Sequence, residues 1–580
     1  LLGATFIAIC SFLPLYLAPA SVAEIVKPLF VVLAVSLGLS WILALCQTTT
    51  FGNFILKEAV PGGAMKDPYD TKLYHKFEKF LTLLIKRRFV TLTTVFVTLV
   101  LSLVIMAVMP QSFFPKMNKP YFRADLVFPE GFSIHAVDQD VMKVEGYLKN
   151  HEKVKSYSVT LGGTPLRYYL ASSSFGPKSN YANVMVETKD PEDAAEVEQQ
   201  FYEHMTQNFP NIITRSALFA LSPVPEAAIE IGFIGENPDT LTALVERAKK
   251  IARQCDMVTD IRSNWGDKVP VWKPMFSQQK GLRLGITRQQ VANSFRTATN
   301  GLPLGEYREG DVSLPILLKD EDVEKMNLND VKSVPVFSTK GNSVKVEQVI
   351  DNFALGYDYN VVRRFNRERC MMMQCEPRRG ANTMAAFKQV LTAVQEQMRL
   401  PEGYKMKYFG EQETQDVSNA ALAKNIPLTF LLIYVVLLFL FPSNYRKPVL
   451  IMLMLPLVFI GVVWGLLLFG KSLDFFAILG LLGLIGMNIK NAIVLVDEIG
   501  LQLKDGKGAV PAVVEATKTR IVPVTMASGT TILGMLPLLG DAMFAGMAAT
   551  IMGGLFVSTV LTIFVLPVTY CIFFKIRADR

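Results

Sequence analysis

The sequence predicts a polytopic α-helical membrane protein with a large water-exposed α+β region, and three observations carry that expectation. Hydrophobic residues make up 51% of the 580. They gather into eight blocks, near 1–19, 27–48, 89–109, 421–441, 448–469, 473–496, 521–540 and 546–574, each close to the ~20 residues a helix needs to cross a bilayer. More than 300 residues of polar, periodic sequence separate the third block from the fourth, room for about two or three compact domains. Basic residues collect in alternate short loops, as they do on the inner side of a membrane.

Residues 1–48 read as two membrane helices and 49–88 as an inside loop rich in Lys57, Lys66, Lys72, Lys76, Lys79, Lys86, Arg87 and Arg88. Within it, Leu73, Phe77, Phe80, Leu81 and Leu84 share one helical face with lysines opposite, the pattern of an amphipathic helix lying in the bilayer interface. Residues 89–109 cross again. The turn with Arg446 and Lys447, the loop with Lys504, Lys507, Lys518 and Arg520, and the C-terminal Lys575, Arg577 and Arg580 fall on the same side as 49–88. Region 110–420 therefore faces the other compartment. The net charge of +8 is largely accounted for by these loops, and no basic run interleaved with aromatics suggests a nucleic-acid partner.

Region 110–420 alternates strands and helices. Tyr121–Val127, a helix over 133–149 and Val154–Leu161 form one unit, and Asn183–Thr188 is followed by a helix over 191–208. Ala228–Phe233, 238–254 and Val258–Asn264 form another, as do Cys370–Glu376, 381–398 and Tyr404–Phe409. This rhythm places helices on sheet faces. Residues 267–357, marked by turn signals such as Gly301-Leu302-Pro303, read as an inserted module.

Leu473–Glu498 is apolar or small apart from Asp474 at its start and Asn488, Lys490 and Asn491 before the Asp497-Glu498 pair. An ammonium at a helix centre costs about 2.5–3.5 kcal/mol on insertion scales, which makes it a candidate site. The alternative is a lysine that snorkels to the interface. An internal repeat also shows: Phe12-Leu13-Pro14-Leu15 precedes a span with Val35-Ser36, as Met535-Leu536-Pro537-Leu538 precedes one with Val557-Ser558. Duplicated bundles are common in transporters, and on that reading the chain carries one full repeat and the last two helices of another.

Gly486-Met-Asn-Ile-Lys490-Asn491-Ala-Ile-Val-Leu-Val-Asp497, Phe441-Pro442-Ser443, Lys447-Pro448, Leu455-Pro456-Leu457, and Arg520 with Pro523 and Thr530-Thr531 through Pro537-Leu538 resemble resistance-nodulation-division efflux permeases of the hydrophobe/amphiphile branch. Phe114-Pro115, Pro129-Glu130-Gly131, Gly305 to Asp311 and Gly410-Glu411 extend the similarity over the whole chain. The resemblance implies the fifth to twelfth membrane helices and the second periplasmic loop of that family. It assigns 110–223 to a ferredoxin-like porter subdomain, 224–266 and 358–415 to the two parts of a second, 267–357 to a docking subdomain, and 416–580 to a five-helix bundle with a cytoplasmic C-terminus.

By resemblance, Lys490 takes the place of a lysine that pairs with two aspartates of the fourth helix. Proton entry rearranges those contacts and drives alternating access in the porter region. Protonating a carboxylate beside a cation removes their attraction, which gives a two-state bundle something to sense. Asn491, Arg520, Thr525 and Ser528 complete the implied proton-coupling set. Ala527 stands where many relatives carry a relay threonine. Tyr168, Tyr169, Phe175, Gly176 and Met185 are the implied substrate-pocket residues, around a gate loop at Ser172–Pro177; the other reading of Tyr168, Tyr169 and Met185 is strand packing. The family implies a homotrimer in the inner membrane, with lipid bilayer, a periplasmic adaptor (membrane fusion protein), an outer-membrane channel and small lipophilic substrates as partners. A lipid or heavy-metal exporter of the same superfamily and a non-transporting scaffold relic are the alternatives.

Other signals carry less. Gly465 to Ser472 fits GxxxxGK[ST] but lacks the strand and following helix of a phosphate cradle. Arg369 to Cys375 is sulfur-rich, yet side chains on a strand alternate faces. Four histidines without zinc spacing, six scattered cysteines and no nucleophile elbow predict no metal, no cofactor and no catalytic residue.

Overall fold

A computed structural model describes residues 2–17, 21–55, 69, 71–112, 114, 117–168, 177–219, 226–319, 330–338, 341–442 and 444–576. The chain opens with α1 (Leu2–Ser11) and α2 (Leu13–Leu17), then α3 (Ser21–Ile55), α4 (Lys72–Lys86) and α5 (Arg88–Val108). The stretch that hydropathy reads as one span over 1–19 thus breaks at Phe12, two residues before Pro14, whose missing N–H does not continue a helix. Helix α4 is amphipathic: Leu81 and Ile85 are buried, and Phe77 and Phe80 both meet the ring of Phe564.

Next come β1 (Tyr121–Val127), α6 (Ile134–Lys149), β2 (Val154–Leu161), β3 (Tyr181–Thr188), α7 (Ala194–Asn208) and β4 (Ile213–Leu218). The strands form an antiparallel sheet in the order β2-β3-β1-β4. Strand β3 lies between β1 and β2, so the β1-α6-β2 unit is split. Val137, Val141, Val144 and Leu148 of α6, with Val197, Phe201 and Met205 of α7, cover Phe122, Ala124, Leu126, Val184 and Val186 on one sheet face. Even-numbered β1 and β3 residues are buried there because strand side chains alternate.

Strand β5 (Ile229–Ile234), α8 (Pro238–Ala252) and β6 (Val258–Ser263) begin a second sheet. The chain then leaves for Trp265–Arg363, a compact unit of its own. That unit holds β7 (Lys268–Phe276), α9 (Gln278–Leu284), α10 (Arg288–Ala298), β8 (Leu302–Glu309), β9 (Val312–Leu318), α11 (Asp330–Ser333), β10 (Pro335–Phe337), β11 (Ser343–Lys345) and β12 (Ile350–Tyr359). Strands β7 and β12 pair antiparallel over a core that includes Ile286, Val291, Val336 and Val346. The β8–β9 hairpin is a two-stranded ribbon whose Leu304, Tyr307, Leu314 and Ile316 are exposed.

The second sheet resumes with β13 (Arg364–Phe365), β14 (Glu368–Pro377), α12 (Thr383–Gln397) and β15 (Lys405–Gly410), in the order β13-β14-β5-β15 with β6 also on β14. Its register puts Met371, Met373 and Cys375 opposite Phe233, Ile231 and Ile229, and Cys370, Met372 and Gln374 opposite Ile234, Gly232 and Glu230. The sulfur-rich segment therefore splits between two faces. Among the described residues no group of three or more His, Cys, Asp or Glu could hold a metal ion.

Gly410, at φ +82, turns the chain straight into α13 (Glu411–Leu440); a side chain there would press a Cβ to 2.9 Å from Ala228 O. The helix starts ten residues before the apolar block, since 411–420 carries helix-compatible polar residues on the same axis. Helices α14 (Arg446–Leu453) and α15 (Val458–Leu468) form one span broken at Pro456, and α16 (Phe475–Lys504), α17 (Ala509–Met535) and α18 (Ala545–Phe573) follow. Gly470, at φ +60, ends α15, with Gly470 N on Leu467 O and Lys471 N on Leu466 O. That is a Schellman stop, so the GxxxxGK[ST] string is a helix end. Among the described residues seven helical segments are long and apolar enough to cross a membrane, and Leu2–Ser11 is a shorter apolar helix.

Candidate functional site in the membrane bundle

Helix α16 begins cleanly because Asp474 Oδ1 accepts from Ala477 N at 2.7 Å. At 3.6 residues per turn, Asn488 and Asn491 share one face of it. Both are buried, at 3% and 9% exposure. Asn491 Nδ2 donates to Ser528 Oγ of α17 at 3.4 Å, Thr559 Oγ1 of α18 lies 2.6 Å from the same oxygen, and Thr562 Oγ1 is 3.5 Å from Asn488 Oδ1. Three helices meet at one polar centre within apolar surroundings.

Lys490 projects from another side of α16, about 160° round the helix from Asn488. It is exposed, and among the described residues it makes no hydrogen bond or ion pair. Arg520 lies elsewhere: its Nε and Nη2 both reach Glu498 Oε2, about 12 Å along α16 from Lys490. Thr525 is exposed and bonds its own helix at Ile521 O, 2.6 Å away. Of the five implied coupling residues, then, Asn491 and Ser528 touch each other, while Lys490, Arg520 and Thr525 stand apart.

Sequence reasoning missed Glu498 as the partner of Arg520, and Asn488, Thr559 and Thr562 as members of the polar centre. The available signal was the i, i+3 pairs Asn488/Asn491 and Thr559/Thr562 inside apolar spans.

A joint links this bundle to the α+β region. Ser112 and Ser472 hydroxyls are 2.8 Å apart, Gln111 bridges Leu473, and Asn382 Nδ2 donates to Gln111 O at 2.8 Å. A cavity of about 260 Å³ opens beside it, lined by Phe114, Asn382, Met384, Glu411 and Ser472.

Of the implied pocket residues, Tyr169, Phe175 and Gly176 lie outside the described residues. Met185 sits half-buried on the helix-free face of the first sheet, paired with Arg123 and Ser158. Tyr168 sets its ring against Phe219 at 5.9 Å, and Phe219 meets Tyr121 at 6.2 Å. On that same face Asp125 accepts from Tyr181 at 2.6 Å and Asn183 at 2.7 Å. Burial and the Asp125 carboxylate push the Tyr181 hydroxyl well above its ordinary value.

Bilayer-length helices around a polar centre, interrupted by two sheets with split connections, define a polytopic permease of the resistance-nodulation-division type. The chain belongs to the AcrB/AcrD/AcrF family, whose profile matches residues 1–574. The nickel and cobalt resistance protein CnrA of Cupriavidus metallidurans is 27% identical over 360 residues, 60% of this chain and 33% of CnrA. The multidrug export protein AcrF of Escherichia coli is 24% identical over 483 residues, 80% of this chain and 46% of AcrF. The crystal structure of a heavy metal efflux pump shares the fold, with a TM-score of 0.77 at 17% identity over 99% of this chain and 58% of that one. The chain thus spans less than half the length of these two curated relatives. The family is one of efflux transporters, and its relatives here include both multidrug and metal-resistance proteins.

Proposed function

We infer that this chain is part of a proton-driven efflux permease that expels hydrophobic or amphiphilic compounds by drug/proton antiport. Lys490 carries the reading: an exposed ammonium in a membrane-length helix is costly unless carboxylates or water face it, and a lysine among carboxylates responds to protonation. The polar centre on another side of the same helix and the Ser112–Ser472 and Asn382–Gln111 contacts support a route from membrane to α+β region.

The protein works in the bacterial inner membrane with its α+β region in the periplasm, as a homotrimer with a periplasmic adaptor and an outer-membrane channel. An isolated two-stranded ribbon with exposed apolar side chains, such as β8–β9, is marginal alone, which supports contact with a neighbouring protomer. A heavy-metal cargo is the second reading, favoured by CnrA's resistance to nickel and cobalt and by Cys370 and Met372 on one sheet face.

Lys490→Ala in the full-length protein at equal expression is the test. Loss of resistance to ethidium, with nickel and cobalt tolerance unaffected by the pump, supports drug antiport. Loss of nickel and cobalt tolerance alone favours the metal reading, and resistance unchanged for all three sinks proton coupling through Lys490.

A further inference from the structure

Helix α18 is held to α15 through bare backbone. A Cβ on Gly553 would lie 2.4 Å from Gly465 Cα, and one on Gly461 would lie 2.6 Å from Gly553 O. Small residues of this kind bring membrane helices into close contact. From that anchored helix Thr559 reaches across to α17. Its Oγ1 is 2.7 Å from Leu555 O and 2.6 Å from Ser528 Oγ, and Asn491 Nδ2 is 3.4 Å from Ser528 Oγ.

A hydroxyl has one hydrogen to give. Thr559 Oγ1 is the donor toward both Leu555 O and Ser528 Oγ, so its one hydrogen is shared between them, and Ser528 Oγ accepts from Asn491 as well. Ser528 Oγ is thus the acceptor on which α16 and α18 converge. Exposure of 9%, 3% and 7% for Asn491, Ser528 and Thr559 leaves little access for water as a substitute partner.

We propose that Thr559 is a positioning residue for Lys490: through Ser528 and Asn491 it fixes the rotation of α16, and so the direction in which the ammonium projects. This rests on the proton-coupled reading above. Without the Thr559 hydroxyl, Ser528 Oγ keeps Asn491 as a donor and loses the donor from α18. Asn491 then bonds an oxygen that is no longer tied to α18. Helix α16 loses that tie at the residue next to Lys490.

Competitive acetylation of Lys490 in the membrane-embedded protein at fixed pH, with the modified peptide quantified by mass spectrometry, reads how the side chain is presented without a transport substrate. Thr559→Val keeps the shape and removes the hydroxyl; Thr559→Ser keeps the hydroxyl. The valine variant is expected to change the extent of Lys490 labelling severalfold, and the serine variant to leave it in place. Ser528→Ala cuts the same contact from α17 and should change the labelling in the same direction, which decides the matter if the valine variant does not accumulate. Labelling unchanged in both Thr559→Val and Ser528→Ala overturns the proposal, as does a change in Thr559→Ser equal to that in valine. Transport that survives Lys490→Ala would instead remove the coupling reading itself, whatever the labelling shows.

Discussion

Arg520 places its Nε and Nη2 on a single oxygen of Glu498, at 3.1 and 2.5 Å, while Gln502 donates to the other oxygen at 2.8 Å. Glu498 is only 8% exposed, so its charge depends on these donors. Arg520→Met should lower stability by about 1–3 kcal/mol through the carboxylate left unpaired, less than for a fully buried pair because the Arg520 side chain is 38% exposed. Adding Glu498→Gln should restore most of the loss. Thermal unfolding of the detergent-solubilised variants measures both, and a double variant no better than the single one contradicts the account.

Glu230, in the second sheet, has its carboxyl pushed up to about 7 by burial, against the hydrogen bonds it accepts from Gln374 and Ala227. The folded state keeps this proton up to about pH 7, while an unfolded chain releases it near 4.5. Folding therefore binds the proton in that window, so this group's contribution is most favourable below 4.5 and declines as pH rises through 7, by about 3 kcal/mol in all. Glu230→Gln keeps the acceptor oxygen and should flatten the decline. Melting curves at pH 5 and pH 8 test it; an equal pH dependence in both proteins would sink the assignment.

The α15–α18 contact makes a sharp contrast among glycines. Gly553→Ala must push backbone apart, since its Cβ would lie 2.4 Å from Gly465 Cα, and should reduce the yield of folded protein severalfold. Gly529 and Gly534 of α17 have open space where a Cβ would go. Alanine at either should be neutral or stabilise the helix by up to about 1 kcal/mol. Size-exclusion profiles of the three variants give the comparison.

Arg379 ties the two sheets together. Its Nη2 bonds Glu198 and lies 2.9 Å from Ser216 Oγ, and its guanidinium sits 4.1 Å from the centre of the Tyr202 ring. Arg379→Met leaves Glu198, 7% exposed, without its cation. Hydrogen exchange in β4 and α7 should rise several-fold, with less change in β15. Uniform exchange across both sheets in the variant would show that the contact does not join them.

The membrane spans were legible because a bilayer demands long apolar runs, and Lys490 stood out against one of them. The polar centre was not, because Asn491, Ser528 and Thr559 meet only when three helices take definite rotations, and no local pattern encodes those. In the letters Glu498 reads as the polar end of a span, and only the fold sets Arg520 across from it. The split order of the first sheet, with β3 between β1 and β2, follows from the ferredoxin-like resemblance and not from local pattern, since the pairing depends on register across the chain. Chain breaks at Phe12 and Pro456 were hidden inside unbroken hydropathy, although Pro14 and Pro456 mark both in the letters.

Helix α13 grows directly from β15 at Gly410 and runs thirty residues without a loop, a rod about 45 Å long. Tilting it by about 5° at the sheet would carry its far end about 4 Å sideways, about the width of a methyl group. The rod has one soft point. Pro427 lies near its middle and cannot donate to the carbonyl of Ala423, so bending concentrates there, and the stiffness of that single turn sets how much of a displacement in the sheet arrives in the membrane as motion and how much is absorbed as flexure.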